Sequence, residues 1–156
     1  MKPMRRLALS IGRGPVGSLL HGLAPLTGRD RLAVLTYHRI AASPSAASEM
    51  SPGLLSALVA DFADHLAHAR RRFTLIELDD MLDLRQGGRT RARRPLVLVT
   101  FDDAYRDFLD VAWPVIQRAR VPVTVFVATA MLEAGQPFWW DQLMHTLRTT
   151  GADQVP

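Results

Sequence analysis

Cysteine is absent from the 156 residues. That excludes a disulfide framework, a thiolate zinc site and a cysteine nucleophile, and it leaves the compartment undecided. Lysine is almost absent too. Lys2 stands alone among the 19 basic residues, so the net charge of +4 and the pI near 10.6 rest on arginine. Long apolar runs are also missing. Lys2, Arg5 and Arg6 are followed by Leu7 to Ile11, which stops at Gly12 and Arg13, and the stretch Gly14 to Gly28 is broken by Pro15, His21 and Pro25. A membrane span needs about 20 apolar residues and a signal peptide an unbroken apolar segment, so this N-terminus fits neither. The expectation is a cytoplasmic protein with a basic arm over residues 1–30. The alternative is an export or membrane-surface role for that arm. With 48% apolar and 22% charged residues the remainder is ordinary globular composition, which excludes wholesale disorder.

From Arg31 onward the chain reads as strand–helix units. Leu32 to Tyr37 is a short continuous apolar run, as expected of a strand covered on both faces. Ser51-Pro52 reads as an N-cap and first helical position. Leu55, Leu58, Val59, Phe62, Leu66 and Ala69 follow at helical spacing. Phe73 to Ile76 reads as a second strand and Leu78 to Leu84 as a short helix closed near Gly87-Gly88. An arginine-rich loop leads to a third strand, Leu96 to Phe101. A helix from Asp107 is interrupted at Pro114 and resumes to Arg120, Val121 to Ala128 is a fourth strand, and Trp140 to Leu147 is helical. Such alternation predicts an α/β fold with a parallel sheet or barrel, the four strands being neighbours in one sheet.

Chemistry is expected where the third strand ends, at Thr100-Phe101-Asp102-Asp103-Ala104-Tyr105. The carboxyl ends of parallel strands form the ligand face of α/β folds. Adjacent acids just past a strand end escape the alternation of side chains and can enter one site, where they suit a divalent metal and a base that activates water. An isolated Asp-Asp pair more often caps the following helix and complements its dipole.

The surroundings separate these readings. The stretch LVTFDDAYRDF, Leu98 to Phe108, resembles the first motif of the polysaccharide deacetylases (carbohydrate esterase family four, the NodB-homology domain), which reads Thr-Phe-Asp-Asp-Gly after a buried strand. LTYHRI (Leu35 to Ile40), VPVTVFVAT (Val121 to Thr129) and FWWDQL (Phe138 to Leu143) look like the same family in the same order. The resemblance implies a deformed (β/α) barrel that hydrolyses acetyl groups, N- or O-linked, from sugar polymers such as chitooligosaccharides. It implies Asp102 as general base, Asp103 as ligand to a divalent metal, zinc or similar, and an acetylated oligo- or polysaccharide as partner. Ala104 replaces the family's glycine, which matters if the turn needs positive φ.

The resemblance also implies a His-x-x-x-His pair on a later strand end. Downstream of Asp103 the sequence holds only His145, with Thr149 four residues on. Catalytic zinc takes three protein ligands. Barrels of this type need about 200 residues or more. The expectation is therefore the N-terminal portion of such a domain, residues 31–156, which as it stands is not a competent enzyme and whose open sheet invites self-association. A non-catalytic remnant that binds glycan or a partner is the other function class.

Other candidates divide by position. His38 ends the first strand and is expected at the site rim, either contacting substrate or supporting its neighbours, or in a structural hydrogen bond. Tyr37, Tyr105 and Trp139 are further candidates for substrate contact. For Trp139-Trp140-Asp141, sugar stacking competes with packing, which is the commoner use of large aromatics. Trp113, beside Pro114 in an apolar stripe, reads as packing. His65 and His68 stand mid-helix, upstream of the motif, on a flanking and a solvent-facing position. Arg70 to Arg72 and Arg85 to Arg94 lack interleaved aromatics, so they read as solvated loop charge and no specific nucleic-acid partner is expected.

Overall fold

The computed structural model describes residues 32–51 and 53–150. The expected arm over residues 1–30 lies outside them. The elements in chain order are β1 (Leu32–Tyr37), β2 (Arg39–Ala41), α1 (Pro44–Ser48), β3 (Leu55–Leu58), α2 (Val59–Arg72), β4 (Thr74–Ile76), α3 (Leu78–Arg85), β5 (Leu96–Asp102), a π-helical turn (Phe108–Ala112), α4 (Trp113–Ala119), β6 (Thr124–Phe126), α5 (Thr129–Ala134) and α6 (Trp139–Thr149).

β5 organises the sheet. β1 runs parallel to it along one edge, from Leu32 beside Leu96 to Tyr37 beside Phe101. β4 and β6 share the opposite edge, β4 at Leu96 to Leu98 and β6 at Thr100 to Asp102, both parallel. The four expected strands are thus parallel neighbours in an α/β fold, and the sheet does not close on itself among the described residues.

Alternation along β5 explains why Leu96 to Val99 are all apolar. Val97, Val99 and Phe101 enter a core with Phe62 and Leu66 of α2 and Val115 and Ile116 of α4. Leu96 and Leu98 pack on the other face with Ile76, Leu78, Met81 and Leu84. Both faces are covered, so both must be apolar. The main core is built round four rings: Phe101 lies 5.4 Å from Tyr37, 5.6 Å from Phe62 and 4.9 Å from Phe108, centroid to centroid. Removing such a ring costs about 3–5 kcal/mol.

Several expectations are corrected. β1 is not covered on both faces: it ends the sheet, and Val34 is 50% exposed. Ser51-Pro52 does not open the first long helix. Residues Leu55–Leu58 pair with β2 as a second, two-stranded parallel sheet, and α2 begins only at Val59. There the gain from pairing outweighs the cap signal, since Ala57 is buried while the Ser56 hydroxyl accepts the His38 N–H at 2.9 Å. The fourth strand shrinks to Thr124–Phe126, and Trp113 is 38% exposed at the start of α4 and not fully packed. The arginine patches cap helix ends in part. Arg70 donates to the Ala119 carbonyl at 2.6 Å and Arg94 to that of Arg71 at 3.1 Å, satisfying carbonyls left open at helix C-termini.

Candidate active site

Asp102 is the last residue of β5, and the alternation that sends Phe101 into the aromatic core turns Asp102 to the other face. The chain then leaves the strand through two left-handed residues, Asp103 at φ 69° and Ala104 at φ 51°. Aspartate tolerates that region, whereas for alanine it is costly. The turn therefore does take positive φ at position 104, and Ala104 adopts it. This turn brings Asp103 back beside Asp102. Both line a cavity of about 520 Å³ with His38, Phe126, Val127 and Ala128, at the carboxyl ends of β1, β5 and β6. The cavity is shallow and open to solvent. His38 Nε2 stands 3.9 Å from Asp102 Oδ2, and both side chains are about one-third exposed.

The backbone under His38 is held from two sides. The Ser56 hydroxyl accepts its N–H, and two residues on the buried carboxylate of Asp107 accepts the Ile40 N–H at 2.8 Å and Arg39 Nε at 3.0 Å. Asp107 stands just before the π-helical turn that follows the motif, so one side chain ties β2 to the segment carrying Asp102 and Asp103. Sequence reading missed this tie; its signal was an acid directly ahead of the buried Phe108.

The remaining candidates lie elsewhere. Tyr37 is a core residue: its ring packs on Phe62 and Phe101, and its hydroxyl meets His65 Nδ1 at 3.2 Å. Burial pushes its phenol up to about 12. His68 is exposed, its ring 6.2 Å from that of Phe73. Tyr105 belongs to a neighbouring network. Its hydroxyl donates to Asp141 Oδ2 at 2.8 Å and accepts from Trp140 Nε1 at 2.8 Å, while Ser51 donates to Asp141 Oδ1 at 3.3 Å. Burial, foremost, and the Asp141 carboxylate raise the Tyr105 pKa, so the phenol stays a donor. Asp141 thus holds α6 against the loop after β5. Trp139, 68% exposed, packs edge-on against Trp140 at 5.5 Å and does not line the cavity of Asp102 and Asp103. His145 lies on α6 in a second cavity. Among the described residues no three histidines, cysteines or acids form a cluster able to hold a metal. No helix among them is long and apolar enough to cross a membrane.

No protein-family profile matches the chain, and no curated protein matches it. Solved structures do. The chain is similar to the Streptococcus pyogenes deacetylase PplD in complex with acetate (TM-score 0.56, 23% identity, covering 68% of this chain and 46% of that one). It is similar to IcaB from Ammonifex degensii (TM-score 0.50, 29% identity, 63% and 38%). It is also similar to a de-N-acetylase from Aggregatibacter actinomycetemcomitans (TM-score 0.56, 18% identity, 78% and 52%). The chain therefore spans about half the length, or less, of the proteins it matches.

Proposed function

With a fold shared with deacetylases in hand, we propose that this chain carries the acid-bearing part of a deacetylase site acting on acetylated saccharides, N-acetylglucosamine polymers first among them. One observation carries the reading: Asp102, Asp103 and His38 line one cavity at the carboxyl ends of three parallel strands. The likeness to PplD, IcaB and the de-N-acetylase supports it.

Asp102 is the general base. A carboxylate at the strand end takes a proton from water as the oxygen attacks the acetyl carbonyl carbon. The C–N bond then breaks as the amine takes the proton that Asp102 received, and acetic acid leaves and ionises to acetate. His38 Nε2, 3.9 Å from the Asp102 carboxylate and beyond a direct hydrogen bond to it, is a rim residue on the substrate side of the same cavity. Asp103 is the residue fitted to ligate a divalent metal. The described residues do not fit a complete centre, because a catalytic zinc takes three protein ligands and the cavity offers no cluster of three. No step above runs through a metal.

The test combines calorimetry with acetate measurement, using the trimer of N-acetylglucosamine in excess Zn²⁺. Saturable binding with acetate at background is expected, since the base is present without a full ligand set. Absence of binding would overturn the saccharide reading. Acetate release that survives Asp102→Asn would overturn the assignment of the base.

A further inference from the structure

A second cavity has a volume of about 680 Å³. No residue lines both cavities, but near neighbours in the chain line one each: His38 and Asp103 the first, Arg39 and Tyr105 the second. Arg39, Arg106 and Arg148 line the second with His145, against the carboxylates of Glu49 and Asp141. Arg106 is paired with Asp110 at 2.9 Å, and Arg148 donates to the Glu49 and Met50 carbonyls at 2.6 and 3.1 Å, so both are already engaged. Asp141 is already engaged, both oxygens accepting from Ser51 and Tyr105.

Arg39 is the ordered group. Its Nε donates to Asp107 Oδ1 at 3.0 Å, and its guanidinium carbon sits 4.4 Å over the Tyr105 ring. The side chain is only 20% exposed. Its Nη atoms make no hydrogen bond to any described residue. A guanidinium clamped at Nε and stacked on a ring presents its remaining N–H groups as a rigid fork, the geometry that suits a carboxylate. The ordering cost is met by the fold before any ligand arrives.

We propose that this second cavity is an anionic subsite that takes the carboxylate of an acidic sugar, a uronate unit, in a saccharide reaching the first cavity. The inference rests on the proposed saccharide function and names its substrate class: an acidic polymer carrying acetylated units.

The test uses the full chain with its histidine ring signals followed by nuclear magnetic resonance. An unacetylated galacturonate trimer is added, and separately the neutral N-acetylglucosamine trimer. The uronate is expected to shift His145, which lines the second cavity, and the neutral trimer His38, which lines the first. Arg39→Lys keeps a positive charge beside Asp107 but removes the fork, and should weaken uronate binding at least tenfold. Arg93→Gln, in the exposed loop before β5, should leave it unchanged. His145 unmoved by uronate in the unaltered protein would overturn the subsite whatever Arg39→Lys does to folding. So would equal weakening by Arg93→Gln, the mark of diffuse attraction. Uronate binding at His145 with no response of His38 to the neutral trimer would sink the acetylated-saccharide reading and keep the anionic subsite.

Discussion

Ala104 offers a sharp check on how the two aspartates are brought together. At φ 51° it holds a conformation in which a β-carbon crowds the following carbonyl oxygen. The left-handed region costs an L-residue about 1–2 kcal/mol. Glycine there removes the strain but adds freedom to the unfolded chain, worth about 0.4–1 kcal/mol. Ala104→Gly should therefore stabilise the protein by about 0.5–1 kcal/mol, which for a chain of this size raises the melting temperature by about 2–3 °C. Gly135 supplies the mirror experiment. It closes α5 at φ 61°, and a β-carbon added there would meet nothing within 4 Å. Gly135→Ala isolates the backbone term and should destabilise by about 1 kcal/mol. Both are read by thermal or urea unfolding followed by circular dichroism. An Ala104→Gly protein that melts at or below the parent temperature, with Gly135→Ala unchanged, would refute the claim that the turn is strained.

Other consequences follow from the polar ties. Asp107→Ala leaves Arg39 Nε and the Ile40 N–H without their acceptor, and should cost about 3–4 kcal/mol of stability by urea unfolding; a loss under 1 kcal/mol would show the tie to be dispensable. The two tyrosines should both resist ionisation: absorbance at 295 nm is expected to show no phenolate in the folded protein at pH 10.5, where an ordinary tyrosine is more than half ionised. Because the folded state keeps the Tyr37 proton up to about 12 while the unfolded chain loses it near 10, stability is full below pH 10 and falls as pH rises between those values. Stability flat across that interval would contradict the burial of Tyr37.

Much of the fold was legible because β5 states its environment outright. Seven residues, Leu96–Asp102, are apolar up to Thr100 and end on an acid, which is how a strand buried on both faces leads to a ligand edge. The parallel order followed from strand–helix alternation. What stayed hidden was decided by partners far along the chain. Leu55–Leu58 carries helical spacing and an inviting Ser51 cap, yet pairs with β2, a partner of only three residues. Likewise β1 has the composition of a central strand and lies at an edge, because neighbours and not composition determine how much of it is covered. His38, Asp102 and Asp103 line one cavity, and their places at strand ends are readable in the sequence. Tyr37, one residue before His38, lies in the core, because alternation turns it there. The Arg39–Asp107 pair and the Tyr105–Asp141 bond join residues 68 and 36 positions apart, which no local pattern announces.

The proposed function requires that the cavity bounded by His38, Asp102 and Asp103 receive an acetylated sugar. Titrating the protein with the N-acetylglucosamine trimer while following the five histidine rings tests it most directly. Saturable shifts at His38, with His65 and His68 unmoved, are the predicted result, and Asp103→Ala should alter them. A trimer that leaves His38 unshifted at saturating concentration would contradict the claim.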